Sequence, residues 1–210
     1  MAVYEVTFSP TGGTDKVTDI LMEGCQEEKK EISLLSAEDH YGNYEFQKDD
    51  ICFISMPSYG GRIPQIAAER LIQMKGNGAK AVLVCVYGNR AYEDTLIELK
   101  DKAEEAGFVI YGAVAAVAEH SIMRKFAAGR PDAGDVEELR AFGKKLREKL
   151  EQEADLEDVK KVDEKKCIAC MRCIAVCPKN VRKLNKVVLL AAETKMAKLF
   201  EERKENELFL

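Results

Sequence analysis

The stretch Tyr4-Glu-Val-Thr-Phe8-Ser9-Pro-Thr11-Gly12-Gly13-Thr14 joins a short strand pattern to a helix pattern through a loop of glycine and hydroxyl residues. Strand and helix patterns keep alternating to about residue 150, which is typical of an α/β fold with a parallel sheet. Two later strand patterns are continuous apolar runs, as expected for strands covered on both faces. The predicted strands are residues 4–8, 31–35, 51–56, 81–87 and 107–117, and the predicted helices are 17–25, 64–74, 91–106 and 135–152.

The loop at residues 9–14 is suited to binding a phosphate group. Its hydroxyl side chains and glycines let backbone N–H groups surround an anion, and the start of the next helix adds partial positive charge. The loop has neither a Walker lysine nor a G-x-G-x-x-G pattern, so neither a nucleoside triphosphate nor a dinucleotide is favoured. These properties suit a mononucleotide such as FMN. The alternative is an ordinary turn with a helix N-cap.

A second motif is the run Cys167-Ile-Ala-Cys170-Met-Arg-Cys173-Ile-Ala-Val-Cys177-Pro178. The spacing C-x2-C-x2-C-x3-C-P is the bacterial ferredoxin pattern for binding a [4Fe–4S] cluster. Zinc is less favoured, because structural zinc sites usually pair two C-x-x-C elements separated by about a dozen residues or more. The chain has seven cysteines, and two all-cysteine clusters would need eight ligands. The sequence therefore predicts one cluster at most.

The pattern Ser9-x-Thr11-Gly12-x-Thr14 is similar to the FMN phosphate loop of flavodoxins. Together with the cysteine run, it makes the chain resemble flavodoxin-like iron–sulfur flavoproteins, which fuse a flavodoxin domain to a bacterial ferredoxin domain. The resemblance implies a five-stranded parallel sheet of order 2-1-3-4-5 with a small C-terminal ferredoxin-like segment. We expect an FMN-binding domain at residues 1–150, a linker at 151–166 and a truncated ferredoxin-like iron–sulfur segment at 167–210.

The resemblance implies that two further loops contact the flavin ring. The loop after the third strand offers an aromatic face and a glycine pair that tolerates positive φ. The loop after the fourth strand offers backbone amides and a second tyrosine. Arg90 or Arg62 would favour the anionic reduced flavin by charge, or either is a solvated surface arginine. The candidates are Pro57, Ser58, Tyr59, Gly60, Gly61 and Arg62 in the first loop, and Tyr87, Gly88, Asn89, Arg90 and Tyr92 in the second.

A segment after the fifth strand, residues 121–135, resembles a part of these fusion proteins that passes near the flavin. The preceding residue, His120, is either a proton donor to reduced flavin or a polar loop histidine. Cys52 and Cys85 lie inside apolar strands and are predicted to be buried small hydrophobic residues. Cys25 is predicted to end the first helix with partial exposure.

In the family that the chain resembles, two such cysteine runs normally exchange their fourth cysteines. This chain contains one run, so the resemblance implies that the other cluster motif is missing. Three alternatives follow. Cys177 ligates the same cluster as Cys167, Cys170 and Cys173, or a non-cysteine or partner-chain ligand replaces it, or no cluster binds and the tail is vestigial.

Composition excludes several other classes of protein. A net charge of −5 disfavours a broad nucleic-acid-binding face. No apolar stretch approaches the roughly 20 residues that span a bilayer, so no membrane segment is predicted. The first five residues lack the pattern of a signal peptide. An odd cysteine count with four cysteines at metal-binding spacing disfavours a secreted disulfide framework and predicts a cytoplasmic protein.

The sequence therefore predicts an electron-transfer flavoprotein that binds FMN and one [4Fe–4S] cluster and exchanges electrons with a protein redox partner or a small-molecule acceptor. One alternative is an FMN-dependent reductase of a small organic substrate, with an apolar cavity lined by Tyr59 and the residues around 120. Another is a non-catalytic flavodoxin-like module with a vestigial or metal-stapled docking tail. The sequence does not choose between carrier and oxidoreductase, or between monomer and homodimer.

Overall fold

A computed structural model of the chain describes residues 1–25 and 28–154, with side chains to residue 150. The chain divides into two units, Met1–Gln152 and Glu153–Leu210. The first unit is built on a five-stranded sheet of order β2-β1-β3-β4-β5, and every strand pair in it is parallel. This confirms the predicted fold and strand order. The strands are β1 (Val3–Thr7), β2 (Lys29–Ser33), β3 (Ile51–Pro57), β4 (Lys80–Tyr87) and β5 (Val109–Val117).

Three of the α-helices connect consecutive strands, as parallel pairing requires, and the fourth follows the last strand. They are α1 (Gly13–Met22), α2 (Gln65–Leu71), α3 (Thr95–Glu105) and α4 (Ala133–Ala154), and a single 3₁₀ turn spans Tyr41–Asn43. The predicted start of α1 at residue 17 was wrong, because the helix begins directly after Gly12, whose φ of 78° ends the preceding loop. The predicted end was also wrong, since Cys25 lies three residues beyond the helix and is partly exposed. None of the described helices is long and apolar enough to cross a membrane.

Two apolar cores cover the two faces of the sheet. The β3 side chains alternate between them, since Cys52, Ile54 and Met56 pack on one face while Ile51 and Phe53 pack on the other. The first core is closed by α2 and α3 through residues such as Leu71 and Leu99. The second is closed by α1 and α4 through residues such as Leu21 and Leu139. A sheet buried on both faces explains the continuous apolar runs of its central strands.

Cys52 and Cys85 are fully buried in these cores, which confirms the prediction that they are small core residues. Burial raises the pKa of the Cys85 thiol to about 12, and it also raises the pKa of Cys52. Neither thiol is therefore available as a thiolate near neutral pH.

One buried carboxylate lies at the β1–β2 edge of the sheet. Glu5 is 4% exposed, and burial raises its pKa, although the Lys29 amino group 2.7 Å away opposes that rise. Lys29 also pairs with Asp19 on α1 at 2.6 Å and with Glu31 at 3.0 Å. The amino group thus connects β1, β2 and α1.

Candidate functional site

A cavity of about 560 Å³ opens at the carboxyl ends of β1, β3, β4 and β5. Ligands of open parallel α/β sheets bind at this edge, where loops from neighbouring strands converge. Four loops contribute to the cavity: Pro10, Thr11, Gly13 and Thr14; Pro57, Ser58, Tyr59 and Gly60; Val86, Tyr87 and Gly88; and Ala118, Glu119, His120, Ser121 and Ile122. The volume lies within the range of small-molecule and cofactor sites.

The loop after β1 presents unpaired backbone donors to this cavity. The amide of Asp15 donates to Ser9 Oγ at 3.1 Å, and the amide of Gly12 donates to the Ser9 carbonyl at 3.4 Å. Within the described residues, the amides of Thr11, Gly13 and Thr14 have no acceptor. Two of these three belong to the first turn of α1, where a helix leaves N–H groups unsatisfied and carries partial positive charge.

A buried hydroxyl pair holds α1 in place over the sheet. Thr18 Oγ1 donates to the Thr14 carbonyl at 2.9 Å and lies 2.8 Å from Ser55 Oγ on β3. Thr18 and Ser55 are both fully buried. The contact therefore fixes the first turn of α1, with its unpaired amides, relative to the central strands.

The loop after β3 forms a tight turn at the cavity mouth. Tyr59 and Arg62 exchange backbone hydrogen bonds of 2.8 and 3.3 Å, and the two glycines between them have φ values of 62° and 86°. Positive φ at both central positions is the requirement of a type I′ turn, which explains the glycine pair. Tyr59 lines the cavity and keeps about half of its surface exposed, so the turn holds an accessible aromatic side chain at the mouth.

Hydrogen bonds connect this turn to the first residues of α3. Ser58 Oγ lies 2.8 Å from Thr95 Oγ1, and the amide of Ile63 donates to Glu98 Oε2 at 2.9 Å. Arg62 donates to both oxygens of the same carboxylate, at 3.1 and 2.7 Å. The hydrogen bond from Arg62 is the main reason that the pKa of Glu98 is lowered. These contacts hold the turn in one position.

The loop after β4 packs against both of its neighbours. A Cβ on Gly61 would lie 1.9 Å from Glu93 Oε2 and 2.8 Å from Glu93 Cβ, so the turn and this loop touch at Gly61. On the other side, a Cβ on Gly88 would lie 2.8 Å from His120 Cδ2. Glycine is therefore required at these two positions for close approach, and the packing makes the three loops a continuous wall.

The loop after β5 is closed by its own hydrogen bonds. His120 Nδ1 accepts the amides of Ile122 and Met123, at 3.2 and 3.1 Å, and the His120 amide donates to the Phe126 carbonyl at 3.1 Å. This folds residues 120–126 into a compact turn beside the cavity. Ile122 lines the cavity and is 85% exposed.

A capping box follows this loop at the start of α4. Asp132 Oδ1 accepts the amide of Asp135, and Asp135 Oδ2 accepts the amide of Asp132. Arg130 donates from Nε to Asp135 at 2.7 Å and also pairs through its Nη2. This hydrogen bonding to Arg130 lowers the pKa of Asp135 to about 2. These contacts anchor the end of the loop that leads into α4.

Comparison with solved structures places this unit among known folds. The flavodoxin of Streptococcus pneumoniae TIGR4 is 19% identical and aligns with a TM-score of 0.51 over 70% of this chain and 99% of its own. A flavodoxin from the domain Archaea aligns at 14% identity with a TM-score of 0.49, over 72% of this chain and 99% of its own. At these identities the likeness concerns the fold. No curated protein matches the chain.

A family model for the 4Fe-4S binding domain matches residues 160–183, a span that contains all four cysteines of the run. The chain joins a flavodoxin-like fold to a 4Fe-4S binding domain. The family match begins seven residues before Cys167, within the segment predicted to be a linker.

The flavodoxin-like fold brings most of the predicted cofactor residues together. Nine of them line the cavity directly: Thr11, Gly13, Thr14, Pro57, Ser58, Tyr59, Gly60, Tyr87 and Gly88. Ser9 and Gly12 are not lining residues, although they shape the loop through the cap on Asp15 and a φ of 78°. Gly61 lies behind the turn against Glu93.

Four other predicted residues lie outside the lining. Arg62 pairs with Glu98 at 2.7 Å, and Arg90 pairs with Glu93 at 2.9 Å, so each arginine already has a carboxylate partner. Asn89 adopts φ 68° in the turn after Gly88. Tyr92 packs edge-on against Tyr87, with ring centroids 5.3 Å apart.

The fourth loop, residues 118–122, was not among the predicted cofactor residues, although His120 and the segment after it were expected to pass near the flavin. Its composition carries no motif. The available signal was position, because this loop follows β5 at the same edge of the flavodoxin-like sheet as the other three.

The predicted metal ligands Cys167, Cys170, Cys173 and Cys177 lie outside the described residues. Among residues 1–25 and 28–154, no group of three or more histidine, cysteine or acidic side chains is arranged to hold a metal ion.

Proposed function

We propose that this protein is an electron-transfer flavoprotein that binds FMN in the cavity at the carboxyl edge of its sheet and one [4Fe–4S] cluster through the cysteine run. The proposal combines a flavodoxin-like fold with a match to the 4Fe-4S binding domain. It is carried by the unpaired amides at the start of α1.

Those amides suit the phosphate group of FMN. Thr11, Gly13 and Thr14 offer three backbone donors without acceptors in the described part of the chain, and the two threonines add hydroxyl groups. Among the residues that the structure describes, no lysine or arginine lines the cavity. An anion would therefore be bound by amides, hydroxyls and the helix dipole, which is the arrangement expected for a phosphate monoester at a helix N-terminus.

The remaining walls suit a flat aromatic ring. Tyr59 and Tyr87 provide aromatic surface for it, and Gly60 and Gly88 leave space for close approach to the backbone. The contacts to Thr95 and Glu98 hold the Tyr59 turn in position, which lowers the entropy lost on binding. Bound FMN would supply both one-electron and two-electron chemistry, while the protein supplies binding, orientation and redox tuning.

The cysteine run suits one [4Fe–4S] cluster, with Cys167, Cys170, Cys173 and Cys177 as the candidate ligands. A cluster passes single electrons, so a protein redox partner or a small-molecule acceptor is implied. Cys52 and Cys85 are free thiols, which supports a reducing compartment such as the cytoplasm.

Anaerobic purification followed by flavin, iron and sulfide analysis tests the proposal. We expect FMN in a one-to-one ratio to protein, and iron and sulfide in equal amounts that correspond to one cluster per chain. A matched pair of variants separates the two cofactors, because Cys170→Ser should lose the iron but keep FMN, whereas Gly13→Val should lose FMN but keep the iron. Protein that remains free of flavin after incubation with excess FMN would refute the flavin assignment.

One observation favours a second function, that of an FMN-dependent reductase of a small organic substrate. The cavity wall includes Tyr59, His120 and Ile122, which is the surface expected for such an enzyme. The test is NADH or NADPH oxidation by the FMN-loaded protein, with and without a quinone or nitroaromatic acceptor. Turnover that depends on the acceptor and falls in Ile122→Ser would favour the reductase, whereas its absence would favour the electron carrier.

A further inference from the structure

His120 is the only histidine that lines the cavity, and its two ring nitrogens have different environments. The Nδ1 atom accepts backbone N–H groups from Ile122 and Met123 at 3.2 and 3.1 Å. Within the described residues, no protein group accepts a hydrogen bond from Nε2. In a neutral imidazole the nitrogen that accepts carries no proton, so the ring proton of this tautomer is on Nε2.

The position of the ring is fixed by packing as well as by hydrogen bonds. A Cβ on Gly88 would lie within 2.8 to 3.0 Å of His120 Cδ2, Cβ and Cγ, so the imidazole lies directly on the Gly88 backbone. Nε2 is bonded to Cδ2, the ring atom nearest that position. Gly88 itself lines the cavity. Nε2 is therefore next to the part of the imidazole ring that packs on Gly88 of the β4 loop.

We propose that His120 is a ligand-binding residue with two separate functions: Nδ1 closes the turn at residues 120–126, and Nε2–H donates a hydrogen bond to an acceptor atom on the ring system of the bound cofactor. This assignment rests on the proposed function, since FMN is the ligand considered. The residue acts here as a fixed neutral donor and not as a proton source to the reduced cofactor.

Nitrogen NMR of the FMN-free protein tests the tautomer independently of any cofactor. The chain contains two histidines, His40 and His120, so a long-range ¹⁵N–¹H spectrum holds two imidazole patterns, and His120→Asn identifies the one that disappears. We expect the His120 ring to carry its proton on Nε2, the nitrogen that accepts no amide. A proton on Nδ1 would overturn the assignment.

Two conservative variants separate the two functions of the ring. Asparagine at position 120 can place an oxygen near the Nδ1 position, so His120→Asn should keep the turn but lose the donor. Glutamine can place its amide nitrogen near the Nε2 position, so His120→Gln should keep the donor. Loss of one hydrogen bond predicts FMN binding about tenfold weaker in His120→Asn, with an unchanged melting temperature, and partial recovery in His120→Gln.

Fluorescence titration with FMN provides these affinities, and His40→Asn is the matched control because His40 is exposed and is not a lining residue. Gly88→Ala is a second test, since the added Cβ would displace the imidazole ring without removing it, and it should weaken FMN binding as well. Equal FMN affinity in wild type and His120→Asn would overturn the inference alone. Failure of the wild-type protein to bind FMN would overturn the proposed function and this assignment together.

Discussion

Replacement of the two adjacent turn glycines by alanine should have unequal effects on stability. Gly60 and Gly61 both have positive φ, so alanine at either position is strained by about 1–2 kcal/mol. An added Cβ on Gly60 would meet no atom within 4 Å, whereas one on Gly61 would lie 2.8 Å from Glu93 Cβ and 1.9 Å from its Oε2. Overpacking of that kind adds about 1–3 kcal/mol.

We therefore expect Gly60→Ala to lower the free energy of unfolding by about 1–2 kcal/mol and Gly61→Ala by roughly 2–5 kcal/mol. Urea unfolding of the FMN-free protein, followed by circular dichroism, measures both values. The variant Glu93→Gly removes the opposing side chain and completes a double-mutant cycle. It should recover at least about 1 kcal/mol in the Gly61→Ala background.

Equal losses for the two alanine variants would refute the packing of the turn against the β4 loop. Strict additivity of Gly61→Ala and Glu93→Gly would refute it as well. The exposed Arg90–Glu93 ion pair is also lost in Glu93→Gly, but surface pairs contribute little and this loss cancels in the cycle.

Three further outcomes are expected. Lys29→Met should destabilise the protein by about 2 kcal/mol at pH 7, because it leaves the buried Glu5 carboxylate without a cation, and Glu5→Gln in the same background should restore most of the loss in urea unfolding. Asp135 has a folded pKa of about 2, below its ordinary value of 3.8, so the stabilisation by its contact with Arg130 is present above pH 4 and is lost as the pH falls towards 2. Wild type should therefore lose about 1–2 kcal/mol more than Asp135→Asn over that interval. Ser9→Ala removes the cap of α1 and should lower the melting temperature, with a loss of about 1 kcal/mol.

The central fold could be predicted from the sequence because burial on both faces imposes a clear pattern. The apolar runs of β3 and β4 have no polar alternation, and both strands were found within one residue of their predicted limits. Resemblance to flavodoxins supplied the strand order. The start of α1 was missed because its first turn is polar, and its capping oxygen belongs to Ser9, outside the helix.

The loops at residues 9–14, 57–62 and 87–92 could be predicted as neighbours, since they follow parallel strands. The partners of individual side chains could not. Arg62 finds its carboxylate on Glu98, 36 residues further along the chain, and no local pattern indicates that pairing. The residues around 120 were expected near the flavin, but the contact between His120 and Gly88 could not be predicted, because it exists only in the folded sheet.

Comparison of FMN with riboflavin tests the proposed phosphate site, because the two ligands share the ring system and differ in the phosphate group. In the proposed complex, the phosphate accepts hydrogen bonds from the amides of Thr11, Gly13 and Thr14, which have no acceptor within the described residues. Charge-assisted hydrogen bonds of this kind predict that FMN binds roughly a hundredfold more tightly than riboflavin in a fluorescence titration. Equal affinity for the two ligands would contradict the account.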